Sequence, residues 1–267
     1  MEINNNPKVS IIIACYNQFD YLEKVLYSLL NQTFTDFEII IAEDGASEDI
    51  QKIVLDFTNR FKHPIQHACH EDNGFRKTII VNQAVRMSKS DYLIFIDGDC
   101  ILHHKFIARH FKRKKLGTVL SGRRMMLSEV LSRSITDNLI RKKTFEKPSF
   151  WWNYFSFKER KRGFYFPFIF KIINSVAKDY WAFGSNFSLH KSDFVDINGY
   201  NEDIIGRGLE DINLSQRFKL KGFKTRRVTY EALQYHLFHN SDPMPHSGEE
   251  VSNITSPKSF FAENGIY

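Results

Sequence analysis

Four acidic side chains stand where they could do chemistry. Asp97 and Asp99 flank Gly98 directly after Tyr92-Leu93-Ile94-Phe95-Ile96, an unbroken run of β-branched and aromatic residues. Such a run reads as a strand buried on both faces, and ligands of an open α/β sheet collect where its strands end. Two carboxylates at that end offer oxygen ligands suited to a hard divalent cation; an Asp-Gly surface turn is the alternative. Glu210 and Asp211 form a second pair at the start of a helix whose apolar contacts are Ile212, Leu214 and Phe218. Ionised carboxylates there complement the helix dipole. Adjacent helical residues point about 100° apart, so the two would do different work. His236 and His239 are three residues apart, could share a helix face and could bind a metal. His103 and His104, close behind the acidic triplet, read as local structure.

The elements that must position these groups follow from apolar spacing. Val9 to Ala14 reads as a buried strand ending at Cys15-Tyr16-Asn17, and Glu38 to Ala42 as a second ending at Glu43-Asp44-Gly45. Between them Leu22, Val25, Leu26, Leu29 and Leu30 keep a helical stripe, with Asp20 and Glu23 at capping-box spacing. Ser47, Glu48 and Asp49 suit a helix start, with Ile50, Ile53, Val54 and Phe57 along one face. A short strand over Ile65–Cys69 and a helix over Thr78–Met87 precede the Tyr92–Ile96 strand. Strand and helix alternate, which predicts a doubly wound, mostly parallel α/β sheet. No Gly-x-Gly-x-x-Gly and no Walker loop is present, which argues against ordinary dinucleotide and NTPase sites.

Composition sets the bounds. A chain of 267 residues can bury a full core as one large domain. Three cysteines without metal-ligand spacing suit a reducing cytosol, so the Asn-x-Ser/Thr matches at Asn186 and Asn253 read as chance. No apolar run reaches membrane-spanning length, and the N-terminus lacks the regions of a signal peptide. A cytoplasmic protein is expected. The net charge of +6 favours anionic partners without choosing among them.

Longer segments carry a family resemblance. Pro7 to Asn17, Leu29-Leu30-Asn31-Gln32-Thr33 and Glu38 to Ser47 resemble the opening of the family 2 glycosyltransferases. Asn73-Gly74-Phe75-Arg76-Lys77, Asn82 and Asp97-Gly98-Asp99 continue the match in order. Gly184-Ser185-Asn186-Phe187-Ser188, Asn198-Gly199-Tyr200-Asn201-Glu202 and Glu210-Asp211 resemble the C-terminal half of galactosyltransferase-type enzymes. The resemblance implies a GT-A fold in one domain, with a nucleotide-sugar half (1–122), a basic and aromatic insertion (123–180) and an acceptor half with a tail (181–267). It implies an inverting, metal-dependent transfer from a nucleotide sugar, UDP-linked, to a saccharide or lipid-linked acceptor.

By the same resemblance Tyr16 stacks on the donor base and Asp44 accepts from its imide N–H, with Ala14, Asn17 and Gly98 beside the nucleotide. Arg76 lies near the base or diphosphate. Asp97 and Asp99 carry the metal and the ribose or diphosphate contacts; with His239 or His236 they hold Mn²⁺ or Mg²⁺, which neutralises the leaving diphosphate. Asp211 is the general base on the acceptor hydroxyl. Glu210, Gly184, Ser185 and Asn186 surround the sugars. Arg207 stands where galactosyltransferase-like sequences have tryptophan, so sugar identity does not carry over, and it is expected to contact the diphosphate or an anionic acceptor.

Between Arg141 and Gly163 lie eight basic and two acidic side chains, interleaved with Phe145, Phe150, Trp151, Trp152, Tyr154, Phe155 and Phe157. This mixture suits peripheral contact with an anionic membrane; helices packing aromatics on the core are the alternative, and no nucleic-acid partner is expected. The tail from Ser241 to Tyr267 reads as a loop-rich closing segment. Two other classes fit parts of the pattern. A sugar nucleotidyltransferase would want a glycine-rich basic loop that Ala14-Cys15-Tyr16-Asn17 does not supply. A non-catalytic sugar-binding or membrane-adaptor module would not need Glu210 and Asp211 beside a metal site.

Overall fold

The computed structural model describes residues 6–17, 19–147, 149–150, 165, 182, 184–205, 207–240 and 249–267. The N-terminal half follows its apolar spacing. β1 (Val9–Cys15), β2 (Phe37–Glu43), β3 (Gln66–Cys69) and β4 (Tyr92–Asp97) are parallel. They are linked through α1 (Phe19–Leu30), α2 (Glu48–Thr58) and α3 (Lys77–Met87). After β4 come β5 (Cys100–Leu102), α4 (Phe106–Arg113), β6 (Thr118–Ser121), β7 (Arg124–Met126), α5 (Glu129–Ser134) and α6 (Asp137–Arg141). The chain closes with β8 (Asn186–His190), α7 (Lys191–Val195), α8 (Leu209–Lys221), β9 (Lys224–Arg227), β10 (Gln234–His236) and α9 (Glu249–Thr255).

Seven strands form one sheet in the order β3-β2-β1-β4-β8-β6-β9, and three form a second, β5-β10-β7. The large sheet is the mostly parallel, doubly wound one expected; only β8 runs against its neighbours β4 and β6. Strand alternation sorts the core. Ile11, Ile13, Ile39, Ile41, Ile94 and Ile96 face the apolar stripes of α1, α2 and α4. Ile12, Ile40, Leu93 and Phe95 face α3 and, from α8, Leu214 and Phe218. With both faces covered, an uninterrupted apolar run is what each central strand requires. Each such side chain contributes about 1.5–3 kcal/mol over leaving it in water. Phe95 stacks on Phe187 at 4.3 Å and so fastens β8 to β4.

Local chemistry explains the helix starts, with one correction. Ser47 caps α2 by accepting from the Asp49 N–H, as its position implied. Asp20 lies inside the first turn of α1, not at its cap, because the helix begins two residues earlier than the capping-box spacing implied. Leu22, Val25, Leu26 and Leu29 are buried, whereas Leu30 is turned toward solvent. The closing segment is less loop-like than expected: it holds α9, and its end is bonded to the Ile197–Asn198 turn and to Arg86 of α3. The basic and aromatic stretch beyond Phe150 lies outside the described residues, Tyr165 excepted, as do residues 241–248. No helix among the described residues is long and apolar enough to cross a membrane.

Candidate active site

Strand register decides what meets. Ala14 is level with Asp97 and Cys15 with Glu43, so Tyr16, Asn17, Asp44 and Asp97 leave the sheet together at its carboxyl edge. Gly98 closes that edge. Its N–H donates to the Ala14 carbonyl at 2.7 Å, and a Cβ on it would stand 2.7 Å from the Cys15 Cβ. It is packed behind the lining of the cleft that opens there. The cleft has a volume of about 840 Å³. Asp44, Asp97 and Asp99 line it from one half, and Arg207, Glu210 and Asp211 from the other.

Asp99 belongs to a histidine site. Antiparallel pairing sets Cys100 opposite His236, and the Leu237 N–H donates to the Asp99 carbonyl. The Asp99 Oδ2 then lies 3.3 Å from His236 Nε2 and 3.0 Å from His239 Nε2. Burial opposes ionisation of Asp99, but the hydrogen bonds from His236 and His239 outweigh it and hold the carboxyl below its usual range. The Asp99 hydrogen bond in turn raises His239. The three ligand atoms lie within 4.8 Å of one another, and His236 Nδ1 is buried without a partner among the described residues. One carboxylate and two imidazoles fit a divalent transition ion such as Mn²⁺ better than Mg²⁺, which prefers oxygen. The helix face considered for the two histidines is not formed: His236 ends β10 and His239 follows it.

Asp97 comes within 4.8 Å of ligand atoms of Asp99 and Cys100, but both of its own oxygens are paired with cations. Its Oδ1 is 3.3 Å from Lys77 Nζ and its Oδ2 is 3.1 Å from Arg124 Nη1. Lys77 also stands 3.9 Å from Glu210 Oε1, bridging the two halves of the cleft. Burial works to discharge Lys77, but Asp97, Asp211 and Glu210 outweigh it and hold the ammonium above its usual value.

Glu210 and Asp211 open α8, whose N-cap is Gly208. Burial first, and the Asp211 charge second, push the Glu210 carboxyl up to about 7 against the pull of Lys77. Its Oε2 has no hydrogen-bond partner among the described residues. Asp211 is held at both oxygens. Oδ1 accepts from the Tyr200 hydroxyl and Oδ2 from the Gly184 N–H, each at 3.0 Å. Tyr200 is itself fixed: Asn82 of α3 bonds its N–H and its carbonyl, and Arg217 holds the carbonyls of Ile197 and Gly199 just before it.

Gly184 leaves no room for a side chain, since a Cβ would stand 2.2 Å from Asp211 Oδ1. Gly184→Ala is therefore expected to displace the carboxylate and cut turnover by about 100-fold. The stability cost should stay within about 1–3 kcal/mol. Steady-state rates beside a thermal melt check this; full activity would show that the contact is relieved elsewhere.

The other expected contacts divide. Ala14, Tyr16, Asn17 and Arg207 line the cleft. Tyr16 is 46% exposed, leaving a ring face open, while its hydroxyl donates to Asp72. Asp44 accepts from His70 and from the Arg76 backbone N–H, both at 2.7 Å. The Arg76 guanidinium does not line the cleft and donates to the Glu71 carbonyl. Ser185 and Asn186 are buried and also stand outside the cleft lining. Asn186 bonds His110 and the Ala232 carbonyl from within the sheet and so braces the fold. His103 and His104 gather on Glu146 away from the cleft lining, the local structure anticipated for them. Lys77, Arg124 and Tyr200 were not singled out as site residues. Arg124 had a signal: Gly122-Arg123-Arg124 follows a short apolar strand, as Asp97 does.

Residues 10–172 match the glycosyl transferase family 2 profile, and residues 174–241 that of the N-terminal domain of galactosyltransferase. The chain is 24% identical over 230 residues to validoxylamine A glucosyltransferase of Streptomyces hygroscopicus subsp. jinggangensis, covering 81% of this chain and 52% of that protein. It is 30% identical over 100 residues to the poly(ribitol-phosphate) beta-N-acetylglucosaminyltransferase TarP of Staphylococcus aureus, covering 37% of this chain and 30% of TarP. Thus it spans about half the length of the validoxylamine A glucosyltransferases it matches. Among solved structures, S. aureus TarS 1-349 in complex with UDP superposes with a TM-score of 0.54 at 17% identity, covering 85% of this chain and 60% of that one. The fold shared with TarS is the GT-A type.

Proposed function

Because this chain belongs to glycosyl transferase family 2, we propose that it moves a sugar from a nucleotide donor to an acceptor hydroxyl. The donor is a UDP-sugar, and the acceptor a saccharide or lipid-linked sugar in surface polysaccharide or glycoconjugate assembly. The reading is carried by one observation: Lys77 reaches both Asp97 and Glu210, so the acids at the end of β4 and those opening α8 share one cleft. Tyr16 offers a ring face to the base. Asp44 offers lone pairs not used by His70 or Arg76 to the imide N–H. Asp211, fixed by Tyr200 and Gly184, takes the acceptor proton as the new C–O bond forms. With the base and the leaving diphosphate on opposite sides of the sugar, the transfer inverts the anomeric centre. A divalent ion held by Asp99, His236 and His239 would supply Lewis-acid neutralisation of the diphosphate. The charge and aromatic content of residues 141–163 supports peripheral contact with an anionic membrane. UDP-sugars are expected to be hydrolysed slowly in Mn²⁺ without acceptor, and hydrolysis of none of them would overturn the reading.

A second reading gives the proton to Glu210, favoured by its partnerless Oε2 and a value near neutrality, where a general base works best. Glu210→Gln separates the two. If Asp211 is the base, the variant raises the acceptor KM; if Glu210 is, it lowers kcat and removes a rate increase through about pH 7. Stability tells the same carboxyl's cost. A raised carboxyl binds its proton more tightly in the folded state, so the penalty is absent below the unfolded value. It grows as pH rises and is complete above about pH 7. Glu210→Gln should therefore stabilise the protein at pH 8, by on the order of 2–3 kcal/mol, and not at pH 4. Equal melting shifts at both pH values would refute this.

A further inference from the structure

Asp97 and Asp99 are two residues apart, yet their surroundings differ in kind. Asp99 faces two imidazoles, whereas both oxygens of Asp97 face protein cations. A carboxylate compensated by Lys77 and Arg124 is a poor additional ligand for a dication, which both would repel. Neither cation is used up by Asp97. Arg124 places one N–H there, of the five a guanidinium carries, and its side chain is 36% exposed. Lys77 sits at 3.3 and 3.9 Å from its acidic neighbours, longer than the roughly 2.7–2.9 Å of a close charge-assisted bond.

The position fits an anion. Tyr16 and Asp44 mark one end of the cleft and Glu210 and Asp211 the other, with Asp97 between them. Lys77 is the first residue of α3, an 11-residue helix, so the helix dipole reinforces the two side chains. The cations come from different elements, α3 and β7, and Asp97 is the shared anchor that keeps them together before a ligand arrives.

We propose that Lys77 and Arg124, seated on Asp97, form the diphosphate subsite, so that a nucleoside diphosphate binds this chain without a metal ion. The proposal rests on the glycosyltransferase reading and adds a division of labour to it: Asp97 organises cations for the donor phosphates, and Asp99 belongs to the histidine site. Each charge-assisted contact to phosphate carries roughly 10- to 100-fold in affinity.

Isothermal titration of UDP into the full chain tests this, first in EDTA and then in Mn²⁺. UDP is expected to bind in EDTA, more weakly as salt rises. Arg124→Gln and Lys77→Met should each weaken that binding by about 10- to 100-fold, and Arg124→Lys should recover part of it. Lys52→Met, which removes an exposed cation on α2, should change nothing. Lys77→Met leaves Asp97 and Glu210 short of a buried partner and could unfold; Arg124 is exposed enough for its variants to stand alone as the test. Binding of UDP only with Mn²⁺, or undiminished EDTA binding in Arg124→Gln, overturns the proposal and leaves the glycosyltransferase reading in place. Failure of UDP, GDP, ADP, CDP and dTDP to bind in either condition overturns that reading itself.

Discussion

Asp211→Asn is expected to lower kcat by about 10²–10⁴-fold while the protein folds and binds its donor as before. The magnitude is that of losing a positioned base, because an amide cannot take the acceptor proton. The structure explains why the fold should tolerate the change. The asparagine carbonyl can accept from the Gly184 N–H as Oδ2 does, and its NH₂ can donate to the Tyr200 oxygen once that hydroxyl rotates. The rotated Tyr200 hydroxyl proton alone gives up its acceptor, at a cost of about 1–3 kcal/mol. The measurement is turnover of a UDP-sugar with acceptor, beside UDP affinity and a melting curve. A loss of less than tenfold would remove Asp211 from the role of base and leave Glu210 to fill it.

Asp99→Asn should abolish tight Mn²⁺ binding and slow transfer by on the order of 10³-fold, corresponding to several kcal/mol of leaving-group stabilisation. Asp99 is the anionic member of its site; His236 and His239 alone offer neutral nitrogen. Proton competition gives a second readout. Asp99 raises His239, so without metal the pair's stabilisation is complete below the ordinary imidazole value, about 6.5. It is lost as pH rises through the raised folded value. Metal requires the deprotonated ring and behaves oppositely. The rise in melting temperature on adding Mn²⁺ should therefore grow between about pH 6 and pH 8 and be absent in Asp99→Asn. Unchanged Mn²⁺ paramagnetic resonance spectra on adding the parent protein would show that the site takes no such ion.

Much of this arrangement was legible because strands buried on both faces leave unmistakable runs. Val9–Ala14, Glu38–Ala42 and Tyr92–Ile96 located the central strands within a residue or two, and with them the place where Tyr16, Asp44, Asp97 and Asp99 converge. The second sheet was not legible. β5, β7 and β10 have three residues each, too few to show a period, and their pairing brings together residues as far apart as Asp99 and His239, 140 positions away. Lys77 and Arg124 are only 20 and 27 positions from Asp97, but a lone cation after a motif carries no mark of the carboxylate it will meet. Asn186 and Gly98 show another limit: the sequence does not display that Asn186 hydrogen-bonds within the sheet or that Gly98 packs against Cys15.

Asn82 grips the Tyr200 backbone at two points, and the helix that carries it also delivers Lys77 to Asp97. One continuous sheet already runs beneath both sides of the opening. Among the described residues, sheet and strut thus join the same two regions. A crosslink between α3 and the Ile197–Tyr200 turn is therefore expected to leave turnover intact.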